Sequence, residues 1–423
     1  MFARTMRCAG LWTALAALVL CVGSAAMAAD VTLEVAAGDA DRIETPVCAE
    51  LDAAQALKGV ALDGDLSVSV SGQGGTLPGQ LEALPGGKAR LWFVVPQLKA
   101  GQKATFRAKI EQRKPAEAKS FVFQDTAGDH LDLLFAGRKV TRLMYVFNND
   151  PNVSKRFPTS KPFTHVFNAV GEKVITSPGG QPFPHHRGIF IGWNRTTTAD
   201  GKRYDFWHTR NVWLRLEKFT GKQAGPVFGR MVARIRWEDP KGEPVVLEDR
   251  AITVYRQAKP ELLLDFVSTL HSARGDIQLI GDPEHAGCQF RAHFEVGQRY
   301  KKMKGPEIKA QGLDTRYVHP PGAKPGKKGT KDMPWSSVSF ALWGSRFNVG
   351  HLNHPGNPKG TLYSAYRPYG RFGAYAKAEL KADQPLTVRY RYFVREGQKA
   401  ALTVAEMQRL HADFATPPQV TVK

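Results

Sequence analysis

The sequence predicts an all-β protein, a large β-sandwich preceded by a small β domain, and three observations support this. Apolar and polar residues alternate over several long segments, Gly and Pro punctuate the stretches between them, and helical spacing is convincing mainly near the C-terminus. Met231, Ala233, Ile235 and Trp237 fall on one face of an extended segment, with Arg234, Arg236 and Glu238 on the other. Leu386, Val388, Tyr390, Tyr392 and Val394 repeat the pattern against Arg389, Arg391 and Arg395, and Leu262 to Leu270 is long enough to cross a large sheet. Thr403, with Glu406 three residues later, reads as a capping box ahead of Val404, Met407, Leu410 and His411 at helical spacing. Many alternating segments joined by turns favour a sandwich over other β architectures.

The N-terminus reads as an address. Arg4 and Arg7 precede an apolar run from Leu11 to Val22, and Ala26-Met27-Ala28 supplies the small residues a signal peptidase requires. Residues 1–28 are therefore expected to be a signal peptide, and the protein to be exported to the periplasm or beyond. Leu20 before Cys21 is too large for a lipoprotein signal, and no other segment approaches the ~18 apolar residues of a membrane span. About 395 residues remain, more than one core usually organises. The polar stretch from Gln112 to Lys119 is the expected boundary, giving a small domain over 30–118 and a large one over 119–423. Export permits a disulfide between Cys48 and Cys288, but two cysteines so far apart do not imply one, and separate thiols are expected.

Charge narrows the partners. The chain carries a formal net charge of +20, and residues 299–332 hold ten Lys and Arg against three acids. Four prolines and five glycines in the same segment predict a long solvated loop. Basic residues are not interleaved with aromatics on one element, which argues against nucleic acid; an acidic substrate or an anionic envelope surface fits the charge better.

Residues with chemical potential concentrate between Phe183 and Trp213. Three of the twelve histidines lie here, His185, His186 and His208, with Arg187, Arg210, Asn211, Trp193 and Trp207. Polar handles beside flat apolar rings suit a small-molecule pocket. Further on come Asp282-Pro283-Glu284-His285, then His354-Pro355, then a segment with Tyr366 and Arg371. The segments 185–190, 205–208, 281–287, 354–355 and 364–373 resemble the signatures of the PmoA-like family, bacterial proteins of unknown function, over roughly residues 120–400. That resemblance implies a β-supersandwich similar to the galactose mutarotase-like fold, often associated with sugar chemistry. The label "methane oxygenase" attached to the family belongs to an integral membrane subunit, and this sequence has no spanning helices to match it.

The residues leave several readings open. Adjacent His185 and His186 point to opposite faces of an extended strand unless Pro184 and Gly188 make a turn; histidines satisfied at a strand end are the plainer alternative. His208, between Trp207 and Arg210, is a candidate acid or base. Asp282, Glu284 and His285 are the other candidates, since paired carboxylates serve glycosidic chemistry. Strict alternation would place both carboxylates with Ala286, Cys288 and Phe290; they reach the polar face of His285, Gln289, Arg291 and His293 only if Pro283 or Gly287 breaks the pleat. That polar face lines a cleft or forms a solvated ion-pair surface. The same histidines with Glu284 have the donor atoms for a divalent metal, although no close ligand spacing supports one. His354, Tyr366 and Arg371 can bind a sugar by stacking and hydrogen bonds, or pack as a sandwich edge. Two classes follow: a carbohydrate-active enzyme using His208, Asp282, Glu284 and His285, or a non-catalytic glycan-binding envelope protein.

Overall fold

The computed structural model describes residues 27–114, 119–180, 183–282, 284–397 and 401–423, so nearly all of the expected leader lies outside the described residues. Two eight-stranded antiparallel sheets form the large sandwich. One, the site sheet, has at its centre the strands Arg371–Tyr375, Ala286–Arg291, Ile189–Trp193, Phe163–Val166 and Arg138–Met144, in that order. The facing sheet contains the long strands Phe228–Glu238, Pro244–Tyr255, Leu262–Ser272 and Leu386–Glu396; the sequence marks all of these but Pro244–Tyr255.

Register explains how the two faces of the site sheet differ. Ile189, Phe290 and Phe372 sit side by side, as do Ile191, Cys288 and Ala374, and all six belong to the sandwich core. Phe290 reaches the facing sheet, its ring 6.3 Å from Phe340 and 6.4 Å from Tyr392. Each such side chain contributes roughly 1.5–3 kcal/mol by leaving water. The other register set, Phe190, Gln289 and Gly373 with Arg291 beside Arg371, points away from that core.

The outer side of the facing sheet is occupied. Met407, Leu410 and Phe414 of the helix Val404–Ala415 cluster there with Trp335, Leu352 and Phe393, and the expected capping box of Thr403 and Glu406 is formed. Residues 28–112 make a three-stranded sheet and four strands of a five-stranded one around Leu33, Val35, Val70, Leu91, Phe93 and Phe106. The last strand, Gln419–Val422, pairs with Ala28–Ala36, so the end of the chain completes the sheet of its beginning.

The basic segment departs from expectation. Residues 299–332 are not one long loop: helices span Phe294–Lys302 and Gly305–Ala310, and Arg316–Val318 pairs with Trp335–Leu342. Pro306 sits in the first turn of its helix, where its missing N–H is not needed, and Arg299, Lys301 and Lys302 fall in a last turn that favours cations. Ile308 anchors the segment by burial. Cys48 and Cys288 are both free. Among the described residues no helix is long and apolar enough to cross a membrane.

Candidate active site

The outward face of the site sheet is polar yet buried. Arg291 and Arg371 lie directly opposite one another on neighbouring strands, with Gln289 and Phe190 beyond. Loops close over this face, bringing Lys161, His185, His186, Trp207, His208 and His285 onto it. Gly287 supplies the break in the pleat: its φ is +79°, and a Cβ there would collide with the Ala374 carbonyl. Before it, the His285 amide donates to the Asp282 carbonyl at 3.0 Å, a turn that takes Asp282 and Glu284 out of strict alternation.

A second turn resolves the adjacency of His185 and His186. The His186 amide donates to the Phe183 carbonyl at 3.0 Å, so both imidazoles enter one cluster, their ring centroids 4.2 Å apart. His185 lies 4.6 Å from His208, and His208 lies 5.0 Å from His285. His186 is fully enclosed among Phe183, Trp207 and Tyr369, with neither ring nitrogen bonded. Burial, reinforced by the charge of Lys161, pushes His185 down to about 2, and burial lowers His186 well below its usual range.

His208 and His285 are held by the same device. In Asp205-x-x-His208, the aspartate accepts the Trp207 and His208 amides on Oδ1 at 3.1 and 2.9 Å, and its Oδ2 lies 2.7 Å from His208 Nδ1. In Asp282-x-x-His285, Oδ1 accepts the Glu284 amide at 3.0 Å and lies 2.8 Å from His285 Nδ1; Asn194 donates to Oδ2 at 2.8 Å. Burial raises both aspartates, but these hydrogen bonds and the imidazoles outweigh it and keep them below the usual carboxylate range. An ionised carboxylate on Nδ1 fixes the ring and leaves Nε2 for a ligand.

Glu284 has a different place from the one expected. Its Oε1 takes the Tyr366 hydroxyl at 2.8 Å and an ion pair from Arg367, with Lys327 4.0 Å away. Burial alone would raise its carboxyl, yet the Tyr366 hydrogen bond and the charge of Arg367 bring it below the usual range. A carboxylate held ionised is a poor proton donor, which weighs against Asp282 or Glu284 as the acid of a glycosidic pair. Asp282 orients His285, and Glu284 ties the Tyr366–Arg367 segment to the site.

Several expected residues lie elsewhere. Trp193 is in the sandwich core, its indole donating to the Ala376 carbonyl at 3.0 Å. Arg210 and Asn211 are exposed to solvent on the strand approach after the His208 turn. His354 packs against Phe414 of the C-terminal helix, centroids 5.1 Å apart. The strand ends at Arg291, so His293 becomes the N-cap of the next helix, its ring 5.0 Å from Trp343. Arg187 is buried beside the cluster, donating to the Pro184 and Phe157 carbonyls at 3.2 and 2.6 Å. Lys161, donating to the Trp207 carbonyl with its ammonium 4.4 Å from the Phe190 ring centroid, was invisible in sequence because Ser160-Lys161-Pro162 matches no motif. Asp205 was findable, since its spacing to His208 repeats that of Asp282 to His285.

Among the described residues, no three His, Cys, Asp or Glu side chains are arranged to hold one metal ion. A cleft of about 560 Å3 lies between residues 62–81 and 223–226; Leu66, Val68, Pro78 and Gln80 line it, and no titratable side chain does.

The sequence profile of the family of unknown function DUF6807 matches residues 130–411. The chain belongs to that family. The match includes every residue of the cluster and corrects the PmoA-like resemblance: the signature segments belong to DUF6807. Comparison with curated proteins returns no match. Among solved structures, a candidate kojibiose phosphorylase from the human microbiome aligns at TM-score 0.29 and 10% identity, covering 64% of this chain and 34% of its own. A GalM/aldose epimerase homologue from C. elegans aligns at TM-score 0.27 and 8% identity, covering 66% of this chain and 100% of its own. The DUF6807 chain thus spans about a third of the phosphorylase, and likenesses this distant bear on no chemistry. Its all-β character rests on the sheets themselves.

Proposed function

We propose that this DUF6807 protein is a carbohydrate-active enzyme in which His208 and His285 exchange protons with a sugar. The observation that carries the proposal is the pair of imidazoles, 5.0 Å apart, each locked at Nδ1 by an aspartate and each without a partner at Nε2 among the described residues. Two bases so placed can serve one ring, one removing a proton while the other delivers one. Asp205 and Asp282 stabilise whichever imidazolium forms. His185, kept neutral, adds a hydrogen-bonding ring without adding charge. Exposed Phe183 and Tyr366, with Tyr369 5.0 Å from Phe183, give the rim flat surfaces suited to a pyranose. The proposal includes an extracytoplasmic setting, through residues 1–28.

The test is incubation of purified protein with a panel of oligosaccharides, with and without chelator, followed by mass analysis of products. Wild-type protein should convert at least one member, and His208→Gln and His285→Gln should each slow conversion by about 10²–10⁴-fold. Glu284→Gln should retain much more activity than either, because Glu284 transfers no proton. Products formed undiminished by both histidine variants would refute the mechanism, and sugar binding without any product would leave a glycan-binding protein.

A further inference from the structure

Seven arginines of the described chain are buried, and their partners divide them sharply. Arg42 pairs with Asp413 at 3.1 Å, Arg250 with Glu248 at 2.8 Å, Arg346 with Asp314 at 3.4 Å and Arg391 with Asp265 at 2.6 Å. The other three, Arg187, Arg291 and Arg371, have no carboxylate within ion-pair distance among the described residues, and all three are at the histidine cluster. Lys161 beside them is unpaired as well. Relative exposures are 2% for Lys161, 1% for Arg187, 0% for Arg291 and 1% for Arg371. The acids nearby are engaged: Asp205 with His208, Asp282 with His285, Glu284 with Arg367. A cation removed from water without a counter-charge costs several kcal/mol, so three guanidiniums in one place call for something to offset them.

Hydrogen bonding points to the same spot. Arg187 spends its donors on carbonyls and on Ser160, but Arg291 leaves Nε and Nη2 buried without an acceptor, and Arg371 leaves Nε. Trp207 Nε1 and both nitrogens of His186 are also buried and unbonded. These groups adjoin one another: the Arg371 guanidinium is 5.8 Å from the Trp207 ring, that of Arg291 is 4.8 Å from the Tyr369 ring, and His186 lies between those rings. Buried donors are ordinarily satisfied, and the unpaired N–H groups of Arg291, Arg371 and Trp207 ask for an acceptor rich in lone pairs. Lys327, on the rim, adds a cation where a ligand would enter.

We infer that the sugar is acidic, its oxyanion accepting from Arg291 and Arg371 while its ring reaches His208 and His285. The inference rests on the sugar-binding part of the proposed function and specifies its substrate class: a uronate, or a sugar bearing a sulfate ester. A uronate would give the arrangement a chemical purpose. Neutralising its carboxylate acidifies the adjacent ring C–H; one imidazole takes that proton, the electron pair passes into the carboxylate, and the second imidazole returns a proton to the same carbon from the other face. The net result is epimerisation, needing no co-reactant.

The experiment is calorimetric titration of the full-length processed protein with oligosaccharides containing glucuronate or galacturonate, with sulfated oligosaccharides, and with neutral counterparts. Acidic sugars should bind about tenfold or more tighter than neutral ones, as expected for charge-assisted hydrogen bonds. Arg291→Gln and Arg371→Gln should each narrow that preference. Whether carboxylate or sulfate binds tighter identifies the oxyanion. Neutral sugars binding as tightly as acidic ones, no binding of any acidic sugar, or a preference intact in both variants would overturn the inference. If a variant fails to fold, the wild-type comparison decides alone. Failure of the proposed catalysis has another signature: acidic sugars bind, yet wild-type protein in D2O exchanges no ring C–H.

Discussion

Replacing Arg291 by Met should leave the protein about as stable as it was, or more so, whereas Arg250→Met should damage it severely. Both arginines are buried strand residues, so exposure and secondary structure are matched. Arg291 gives one hydrogen bond, to the Tyr369 carbonyl, and a ring contact at 4.8 Å. Losing these costs about 1.5–3 and about 0.5–2 kcal/mol respectively. Against that, the substitution removes two orphaned donors at about 1–3 kcal/mol each, together with an unpaired buried charge. The sum lies near zero or in favour of Met. Arg250 instead holds both oxygens of Glu248 at 2.8 Å and the Pro162 carbonyl at 3.1 Å, and its loss strands Glu248 in the sandwich core with only Trp237 and Ser268 as donors. Breaking a buried pair from one side costs about 3–5 kcal/mol. Urea unfolding followed by tryptophan fluorescence should therefore separate the variants by about 3 kcal/mol or more. Equal losses in the two would show that Arg291 is already compensated, and the argument for an anionic ligand would fall with it.

Two further outcomes follow from the same geometry. Burial holds His165 at about 3, His185 at about 2 and His351 at about 3, below an unfolded value near 6.5, so the unfolded chain takes up protons that the folded one refuses. Stability should be full above about pH 7 and fall as pH drops through about 6.5 toward 3, by about 1.4 kcal/mol per imidazole between about pH 7.5 and 5.5. A urea midpoint unchanged over that interval would contradict the burial of these rings. Gly287→Ala should cost about 1–3 kcal/mol for its left-handed backbone, with an added penalty for the clash at Ala374, and should weaken sugar binding by moving Asp282 and His285; an alanine variant as stable and as tight-binding as wild type would refute the role given to that turn.

Local pattern determined much of this protein. Strand alternation marks Phe228–Glu238, Leu262–Ser272 and Leu386–Glu396, and the Thr403–Glu406 box marks the terminal helix, because each signal lies within a few residues of chain. The motif segments also named most of the cluster, His185, His186, Trp207, His208, Asp282, His285 and Arg371, and the alternation after His285 named Arg291. What the sequence could not assign was who partners whom. Trp193 and Trp207 look alike in sequence, yet register sends the first into the core and a loop lays the second over the outer face. Glu284 reads as half of a carboxylate pair until Tyr366 and Arg367, some eighty residues on, arrive to claim it. Lys161 has no local signal at all, and the missing counter-charges around Arg291 and Arg371 are a property of distant acids already engaged elsewhere. Periodicity is a matter of neighbours in sequence, whereas charge compensation and convergence are decided by neighbours in space, and only the folded sheets bring those together.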